Sequence, residues 1–265
     1  MLTPLSGGDI HSVFSFELEG TKYAIKVNDA MPSDVFEKEA AGLKALAECP
    51  ALNVPKVLQE GSHNEVDFLL LEYIENGTGA VDFEFGDHLA ELHKMTSSSF
   101  GWESDNYIGS LPQVNTPTPS WQEFFVEYRL NVRVKELRDA GAVSRADISI
   151  FDSLAARFEE RIPKESPSFL HGDLWSGNAL VDNSGQTWLI DPAVYYGHRE
   201  MDLAMMKLFG GFSEGVFRAY NERFPLEPEW KSRVQLNQLY PMLVHAVLFG
   251  GHYVRSSVDI ARTYS

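Results

Sequence analysis

The chain has 265 residues, enough to bury a large core as one domain or as two lobes that share a cleft. Its 22 basic and 38 acidic side chains give a net charge of −16, which disfavours the phosphate backbone of a nucleic acid as a partner. Hydrophobic residues make up 44% of the chain, but no apolar run approaches the roughly 18 to 20 residues that span a bilayer, so we expect no membrane span.

The N-terminal residues and the cysteine content both favour the cytoplasm. The start of the sequence, MLTPLSGGDI, has neither a basic region nor an apolar core, so the pattern of a secretory signal is missing. The single cysteine, Cys49, cannot form an internal disulfide or a multi-cysteine zinc site, as is usual in a reducing compartment. We therefore predict a cytoplasmic protein.

The first seventy residues alternate short β-type runs with turn signals and contain one helical pattern. Phe36, Ala40 and Leu43 keep the helical period, after a start signal at Ser33 and before Pro50. Strands followed by one helix and then by more strands are typical of a small, mainly antiparallel sheet with a helix on one face. The predicted strands cover residues 13–18, 22–27 and 67–73.

Three features of this N-terminal part are suited to hold the phosphates of ATP. Gly7 and Gly8 would let backbone N–H groups approach phosphate oxygens, although a Gly-Gly pair is most often only a turn. Lys26 lies in YAIKV, close to the kinase strand pattern VAIK, and Glu39 follows on the predicted helix. Glu39 adjoins the apolar stripe more closely than its rival Glu37, so we predict an ion pair between Lys26 and Glu39.

The end of the last predicted strand is a candidate for the adenine-binding hinge. Main-chain groups of Glu72, Tyr73 and Ile74 would lie where the two lobes meet and could bond the edge of the base. Only their position supports this interpretation. The predicted boundary gives an N-terminal nucleotide-binding lobe, residues 1–74, and a C-terminal catalytic and substrate-binding lobe, residues 75–265.

The second part of the chain is more helical. A long segment rich in serine, glycine and proline, residues 97–120, interrupts the helices. Such long loops in compact domains are often functional, although a packed surface excursion is an equally good interpretation. The predicted helices cover residues 82–95, 121–140 and 149–161.

The strongest chemical signal is HGDLWSGN, residues 171–178, followed by WLIDP, residues 188–192. The interval from Asp173 to Asn178 matches the kinase catalytic loop, in which the aspartate receives the proton of the attacking hydroxyl and the asparagine binds a metal. Asp191, after a short apolar strand, takes the place of the second metal-binding aspartate, and carboxylate oxygen suits Mg²⁺. His171 is assigned to bracing the loop.

Turn chemistry alone is the competing explanation for these residues, since Asp and Asn are common in β-turns. Three polar residues at these spacings, with a histidine ahead of them and an apolar strand between them, are hard to obtain from turns. Phosphoryl transfer needs a carboxylate at the hydroxyl and oxygen ligands for magnesium, and this set supplies both.

Seven phrases distributed over nearly the whole chain form a more selective pattern. They are PLSGGDI (4–10), FEKEAAGLKAL (36–46), LEYI (71–74), DNYIGSLPQVNT (105–116), HGDLWSGN (171–178), IDPAVYYGHREMDLAM (190–205) and FGGHYVRS (249–256). They resemble the fructosamine and ketosamine 3-kinases, within the kinases similar to aminoglycoside phosphotransferases. The resemblance implies an α+β, two-lobed protein-kinase-like fold, with a small antiparallel N-terminal lobe containing one helix and a larger, mainly helical C-terminal lobe.

The same resemblance implies the reaction. Members of this family use ATP and magnesium to phosphorylate the O3 hydroxyl of ketosamines, which are sugar adducts on amines, and the product decomposes to release the amine. Carried over to this sequence, Asp173 resembles the catalytic base, Asn178 and Asp191 the metal ligands, and Lys26 with Glu39 the phosphate-holding pair. The implied role is deglycation of protein-bound or small-molecule ketosamines.

Two further residues acquire roles from the resemblance. Trp175 resembles a substrate-facing tryptophan, although a core position is an equal alternative, and Asp202 is expected to brace the catalytic loop. Relatives usually carry a further helical stretch before the phosphate loop, whereas this sequence starts a few residues before Gly7, which leaves open a truncated start, a looser nucleotide site or compensation by a partner subunit.

Two other functions stay open at this point. A kinase of the same fold could act on another small alcohol, such as an aminoglycoside, choline or homoserine. A pseudokinase that only binds nucleotide is the other, but the Lys26, Asp173 and Asp191 triad is intact, which counts against it. The preferred ketosamine and the oligomeric state are not determined by these patterns.

Overall fold

The computed structural model describes residues 2–5, 12–28 and 32–265. Gly7 and Gly8, which were predicted to approach phosphate, lie outside the described residues. Short runs rich in β-branched and aromatic residues form the strands of the N-terminal lobe. These are β1 (Thr3–Pro4), β2 (Ser12–Leu18), β3 (Thr21–Asn28), β4 (Val57–His63) and β5 (Val66–Glu72).

Within the described residues these strands form one antiparallel sheet in the order β1-β2-β3-β5-β4, so that β3 is central. Helix α1 (Val35–Leu46) packs its apolar stripe against Leu69 and Leu71 of β5. The strands predicted at 13–18, 22–27 and 67–73 and the predicted helix are therefore confirmed. Strand β4 was not predicted, because its residues after Leu58 are mostly polar and exposed and carry no apolar alternation.

The C-terminal lobe is mainly helical. A π-helical stretch, Val126–Leu130, joins α3 and α4 into one continuous rod, which confirms the helix predicted over 121–140. The helices are α2 (Phe85–His93), α3 (Trp121–Phe125), α4 (Asn131–Asp139), α5 (Arg145–Arg157), α6 (Glu200–Leu208), α7 (Glu214–Arg223), α8 (Trp230–Phe249) and α9 (His252–Tyr264).

The helix predicted from residue 149 begins earlier, at Arg145. Ser144 and Asp147 form a capping box there: the Asp147 N–H donates to the Ser144 hydroxyl and the Ser144 N–H donates to the Asp147 carboxylate. The prediction missed this start signal. It also left α6 to α9 unassigned, although together they form most of the C-terminal quarter of the chain.

The segment 97–120, predicted to be irregular, contains a short hairpin of β6 (Asn106–Ile108) and β7 (Leu111–Gln113). Buried amides hold it together, because Gln113 Nε2 donates to Asn106 Oδ1 at 2.8 Å and Asn115 Nδ2 donates to the same oxygen at 2.9 Å. Satisfied buried amides specify one conformation, so this segment is an ordered part of the lobe.

Two small ladders position the chemical residues. Strand β8 (Ser168–Leu170) pairs with β11 (Tyr195–Gly197), and β9 (Ala179–Val181) pairs with β10 (Thr187–Leu189). The loop that carries Asp173 joins β8 to β9, and Asp191 follows β10 directly. Backbone bonds from Ile190 to Asn178 and from Ala193 to His171 join the two segments, and Asp191 meets Lys26 of the other lobe. The predicted two-lobed, α+β kinase-like architecture is confirmed.

In the described part of the chain, no helix combines the length and the apolar character that crossing a bilayer requires.

Candidate active site

The loop after β8 is shaped by a glycine. Gly172 has a φ of 83°, and a Cβ built on it would lie 2.0 Å from the carbonyl oxygen of Ala193, so a side chain would collide with backbone. The next residue, Asp173, is linked to Asn178, whose Nδ2 donates to the Asp173 carbonyl at 2.9 Å and to Oδ2 at 3.2 Å. This leaves the amide oxygen of Asn178 as the atom suited to a cation.

His171 ties this loop to the strand that leads to Asp191. The Asp173 N–H donates to Nδ1 at 3.3 Å, and Nε2 lies 3.0 Å from the carbonyl oxygen of Ile190. Because a carbonyl only accepts, Nε2 carries the hydrogen and Nδ1 is the acceptor. Burial lowers the pKa of His171, which favours this neutral form.

Asp202 lies beneath the same loop and is almost fully buried. Its carboxylate accepts the backbone N–H of His171 at 2.8 Å and that of Gly172 at 3.0 Å. His93 Nε2 lies 3.2 Å from the same carboxylate, and Tyr220 contacts the other nitrogen of His93 at 2.8 Å. Asp202 therefore acts on the backbone of the loop and has no direct contact with Asp173 or Asp191 among these bonds.

Asp191 stands in a conformation that few residues other than glycine adopt, with a φ of 54°. It is held there from both sides, since the Ile190 N–H donates to the carbonyl of Asn178 at 3.0 Å and the Ala193 N–H donates to that of His171 at 2.9 Å. The turn directs the Asp191 carboxylate to the lysine of the other lobe.

Lys26 joins the two lobes at this point. Its Nζ donates to Glu39 Oε1 at 2.7 Å and to Asp191 Oδ1. Burial alone would lower the pKa of Lys26, but the charges of Asp191 and Glu39 outweigh it and raise the pKa above its usual value. The lysine is therefore a fixed cation at the cleft.

Asp173 has the opposite electrostatic surroundings. Burial and the negative charge of Asp191 raise its pKa to about 7, although the hydrogen bond from Asn178 acts in the other direction. A carboxylate poised near neutrality can accept a proton and release it again, as a general base requires.

Two cavities meet at these residues and share a wall formed by Val13, Lys26, Glu39 and Asp191. The first, of about 610 Å³, also touches Ile74 and the loop residues Ser176 and Gly177. The second, of about 490 Å³, is lined by Asp173, Trp175 and Asn178 together with side chains of α8 and α9. Each volume is within the range of small-molecule sites.

The predicted hinge residues Glu72, Tyr73 and Ile74 line the larger cavity. The N–H of Glu72 is already engaged, since it donates to the Lys56 carbonyl at 2.9 Å. Tyr73 carries Lys22 over its ring, with Nζ 5.0 Å from the centroid. Any N–H offered to a ligand by this segment must therefore come from a residue after Glu72.

Trp175 lies in the smaller cavity, where it meets Phe209 edge to face with ring centroids 6.0 Å apart. It is half-buried rather than a core residue. The same wall contains Phe249 and Tyr253, which lie in the phrase FGGHYVRS but were given no role, and Phe209 and His245, which no phrase includes. Phe209 and Phe249 are 43% and 60% exposed, and an apolar side chain left open at a cavity is a signal that only the structure provides.

The donor set fits magnesium better than a metal held entirely by protein. Among residues 2–5, 12–28 and 32–265, no group of three or more His, Cys, Asp or Glu side chains is arranged to hold a metal ion. Asn178 and Asp191 offer two oxygen ligands, and Mg²⁺ usually takes its remaining ligands from phosphate and water. Burial is the main cause of the raised pKa of Asp173 and the negative charge of Asp191 is the second, and a cation here would offset that charge.

Comparisons with known proteins agree with this geometry. The fructosamine kinase family model matches residues 1–264. The chain is 38% identical over 261 residues to a probable ketoamine kinase of Synechocystis, covering 97% of this chain and 88% of that protein. It is 35% identical over 267 residues to the chloroplastic protein-ribulosamine 3-kinase of Arabidopsis thaliana, covering 98% and 81%.

Solved structures extend the likeness to three dimensions. A crystal structure described as a fructosamine-3-kinase of Thermobifida fusca has a TM-score of 0.90 and 34% identity, covering 100% of this chain and 93% of that one. An aminoglycoside phosphotransferase has a TM-score of 0.67 at 18% identity, covering 100% and 94%, and shows the fold alone. The chain therefore belongs to the fructosamine kinase family and is a phosphotransferase that acts on a hydroxyl group.

Proposed function

We propose that this protein is an ATP- and magnesium-dependent kinase that phosphorylates the O3 hydroxyl of ketosamines. The observation that carries the proposal is the shared wall of the two cavities: Lys26 and Asp191 border both, while Asp173 borders only the smaller one. A nucleotide in the larger cavity would present its γ-phosphate at this wall, opposite a hydroxyl in the smaller cavity. In-line phosphoryl transfer requires the attacking hydroxyl and the γ-phosphate to face each other in this way.

On the nucleotide side, Lys26 is the cation that neutralises the α and β phosphates, and Glu39 keeps it in place. Without such a pair, a chain of net charge −16 would repel the nucleotide. We assign the adenine to the segment from Glu72 to Ile74, where the lobes meet, and we place the lobe boundary after Ile74, giving lobes of residues 1–74 and 75–265.

Asn178 and Asp191 would hold magnesium. The ion would supply positive charge against the charge that develops on the phosphates. Asp191 is bonded to Lys26 here and would offer its carboxylate to the ion, while Glu39 would keep Lys26 directed at the phosphates.

On the other side, Asp173 orients the acceptor hydroxyl and takes its proton as the oxygen attacks the γ-phosphorus, whose bond to the bridging oxygen breaks so that ADP leaves. Its raised pKa, about 7, matches that task at neutral pH. Asn178 holds the Asp173 side chain in position through its amide, and Trp175 offers a flat face to the C–H face of a sugar.

The substrate class rests on the relatives. Proteins 35 to 38% identical over almost the whole chain are named ketoamine kinases and protein-ribulosamine 3-kinase, and we extend that substrate class to this chain. Because a ketosamine phosphorylated at O3 decomposes and releases its amine, the proposed physiological role is deglycation.

The deciding experiment is a magnesium–ATP assay over ketosamines, free sugars, aminoglycosides, choline and homoserine, with the product located by phosphorus NMR. We expect O3 phosphorylation of ketosamines alone. Asp173→Asn is the blank and should lose about a thousandfold or more in turnover, because proton acceptance is a transition-state task. Phosphorylation of another alcohol instead would refute the substrate class, and ATP binding with no acceptor at all would indicate a pseudokinase.

A further inference from the structure

The β6–β7 hairpin is anchored to the strand segment that follows the proposed metal ligand Asp191. Asn106 Nδ2 donates to the carbonyl of Val194 at 2.8 Å, and Gln113 Nε2 donates to that of Ala193 at 3.1 Å. Asn106 is 7% exposed and Gln113 is fully buried. Buried bonds of this kind make the base of the hairpin a rigid part of the C-terminal lobe.

From this base one side chain crosses to the other lobe. The Tyr107 hydroxyl donates to Asp34 Oδ1 at 2.7 Å, and the Tyr107 ring packs against the apolar cluster of α1 and β5. Burial and the Asp34 carboxylate raise the pKa of Tyr107 to about 12, so the hydroxyl stays a donor at neutral pH. The contact is a charge-assisted hydrogen bond, which is stronger than a neutral one.

Asp34 is used in an unusual way. It occupies the N-cap of α1, where an aspartate ordinarily accepts a hydrogen bond from the first turn of its own helix. Here its side chain makes no such capping bond and accepts from Tyr107 instead. The helix therefore lacks the stabilisation that a capping side chain usually provides, and the carboxylate serves the contact between the lobes instead.

Helix α1, which follows the N-cap Asp34, carries Glu39 in its second turn, and Glu39 accepts a hydrogen bond from Lys26. The same helix packs against the segment that follows Asp191, since a Cβ on Gly42 would lie 3.2 Å from Pro192. A displacement of the start of α1 would therefore move Glu39 relative to Lys26 while the C-terminal lobe stayed in place.

The hairpin is at the same time a wall of the smaller cavity. Tyr107, Ile108 and Gly109 line that cavity together with Asp173 and Trp175. One short hairpin thus contacts the acceptor side of the reaction and, through a single hydroxyl, the helix that serves the nucleotide side.

We propose that Tyr107 is a positioning residue for the nucleotide site: through Asp34 it holds α1 at the place where Glu39 keeps Lys26 directed at the phosphates. The proposal rests on the nucleotide half of the proposed function and is independent of which alcohol is phosphorylated. The Tyr107 hydroxyl is bonded to Asp34 and the Lys26 ammonium to Glu39 and Asp191, so the proposed effect of Tyr107 passes through the helix.

The test measures the affinity for magnesium–AMP-PNP by calorimetry, without any acceptor. Tyr107→Phe keeps the ring and removes the hydroxyl, and we expect binding to weaken about tenfold, within the range for a hydrogen bond to a charged group. Asp34→Ala should match it, whereas Asp34→Asn, which can still accept from the hydroxyl, should stay within about twofold of the wild type. Tyr264→Phe is the control, because its hydroxyl donates to the Ser232 carbonyl at 2.6 Å, remote from both cavities.

Double variants separate positioning from a general loss of stability. If Tyr107 acts through Asp34 and Glu39, Tyr107→Phe should cost nothing more in an Asp34→Ala or a Glu39→Gln background. Effects that multiply in either background would overturn the proposal, and so would wild-type affinity in Tyr107→Phe. Because no ketosamine enters these measurements, failure of the substrate proposal would leave their outcome unchanged.

Discussion

Asp173 combines two demands at the scale of one residue. Burial and the neighbouring charge of Asp191 favour the protonated form of the Asp173 carboxyl group. They raise its pKa to about 7, which suits a general base at neutral pH. The same surroundings destabilise the folded protein whenever Asp173 must ionise. Activity and stability are therefore opposed at this position, as is common in active sites.

The consequence is a pH-dependent gain in stability for Asp173→Asn in the absence of nucleotide and magnesium. The pKa of Asp173 is about 7 in the folded protein against a usual 3.8, so the folded state binds more protons between these values and loses stability as pH rises through them. Asparagine removes that loss. We expect it to stabilise the protein by about 2 kcal/mol at pH 8, a figure reduced for partial exposure to solvent.

Denaturant unfolding from pH 8 down to pH 5 checks this expectation. The difference between Asp173→Asn and wild type should shrink by more than half over that interval, because wild-type Asp173 becomes protonated when folded. Asp152→Asn, on the exposed face of α5, controls for the loss of one negative charge. A difference that stays constant with pH would contradict the raised pKa.

At the scale of single elements, the loop between β8 and β9 depends on its backbone as much as on its side chains. His171, Gly172 and Asp202 fix the path of the chain, and only that path brings Asp173 and Asn178 together. Asp202 stabilises the loop by accepting hydrogen bonds from two backbone N–H groups. A buried carboxylate needs hydrogen-bond partners of this kind.

Two glycines with similar backbone angles test how strongly the loop is constrained. Gly172 (φ 83°) leaves no room, because a Cβ would lie 2.0 Å from the Ala193 carbonyl, whereas Gly185 (φ 87°) has nothing within 4 Å. Gly185→Ala should cost about 1 kcal/mol for the left-handed conformation and keep activity. Gly172→Ala should cost about 3 kcal/mol or more and lose turnover about a hundredfold, measured by thermal unfolding and steady-state kinetics.

Equal effects of the two alanines would show that only the φ angle matters and that the contact with Ala193 does not. The comparison needs no assumption about the substrate, since turnover can be followed with any acceptor that the wild type uses.

At the scale of the whole molecule, the larger cavity is built from both lobes. Ala24 and Leu71 come from the sheet, while Ala179 and Leu180 come from β9. A ligand that contacts both lobes binds the folded protein only, so its binding free energy adds to the stability of the whole chain.

We therefore expect magnesium–ATP at about a hundred times its dissociation constant to stabilise the protein by about 2.7 kcal/mol, seen as a higher midpoint of thermal unfolding. Because Asp191 is a proposed metal ligand, Asp191→Ala should lose the difference between ATP with magnesium and ATP with EDTA. A magnesium-dependent shift equal to that of the wild type would remove Asp191 from the metal site.

Much of the architecture could be predicted from local patterns. Apolar residues in the strands and helix of the N-terminal lobe recur with clear periods, and HGDLWSGN with the following IDP carries its spacing within twenty-two residues. The helices α6 to α9 were not predicted. Helix α6 is buried on almost every side, with Asp202 and Glu200 inside, so its sequence has no polar face to show the period.

The residues proposed to carry the chemistry could be identified from local sequence, because the types and spacing of Asp173, Asn178 and Asp191 match a kinase loop that a short loop and one strand suffice to arrange. The contacts between distant residues depend on the fold. Lys26 meets Asp191 across 165 positions, and Tyr107 meets Asp34 across 73. Such contacts depend on how whole lobes pack, because burial and hydrogen bonding between lobes leave no period or spacing in the chain.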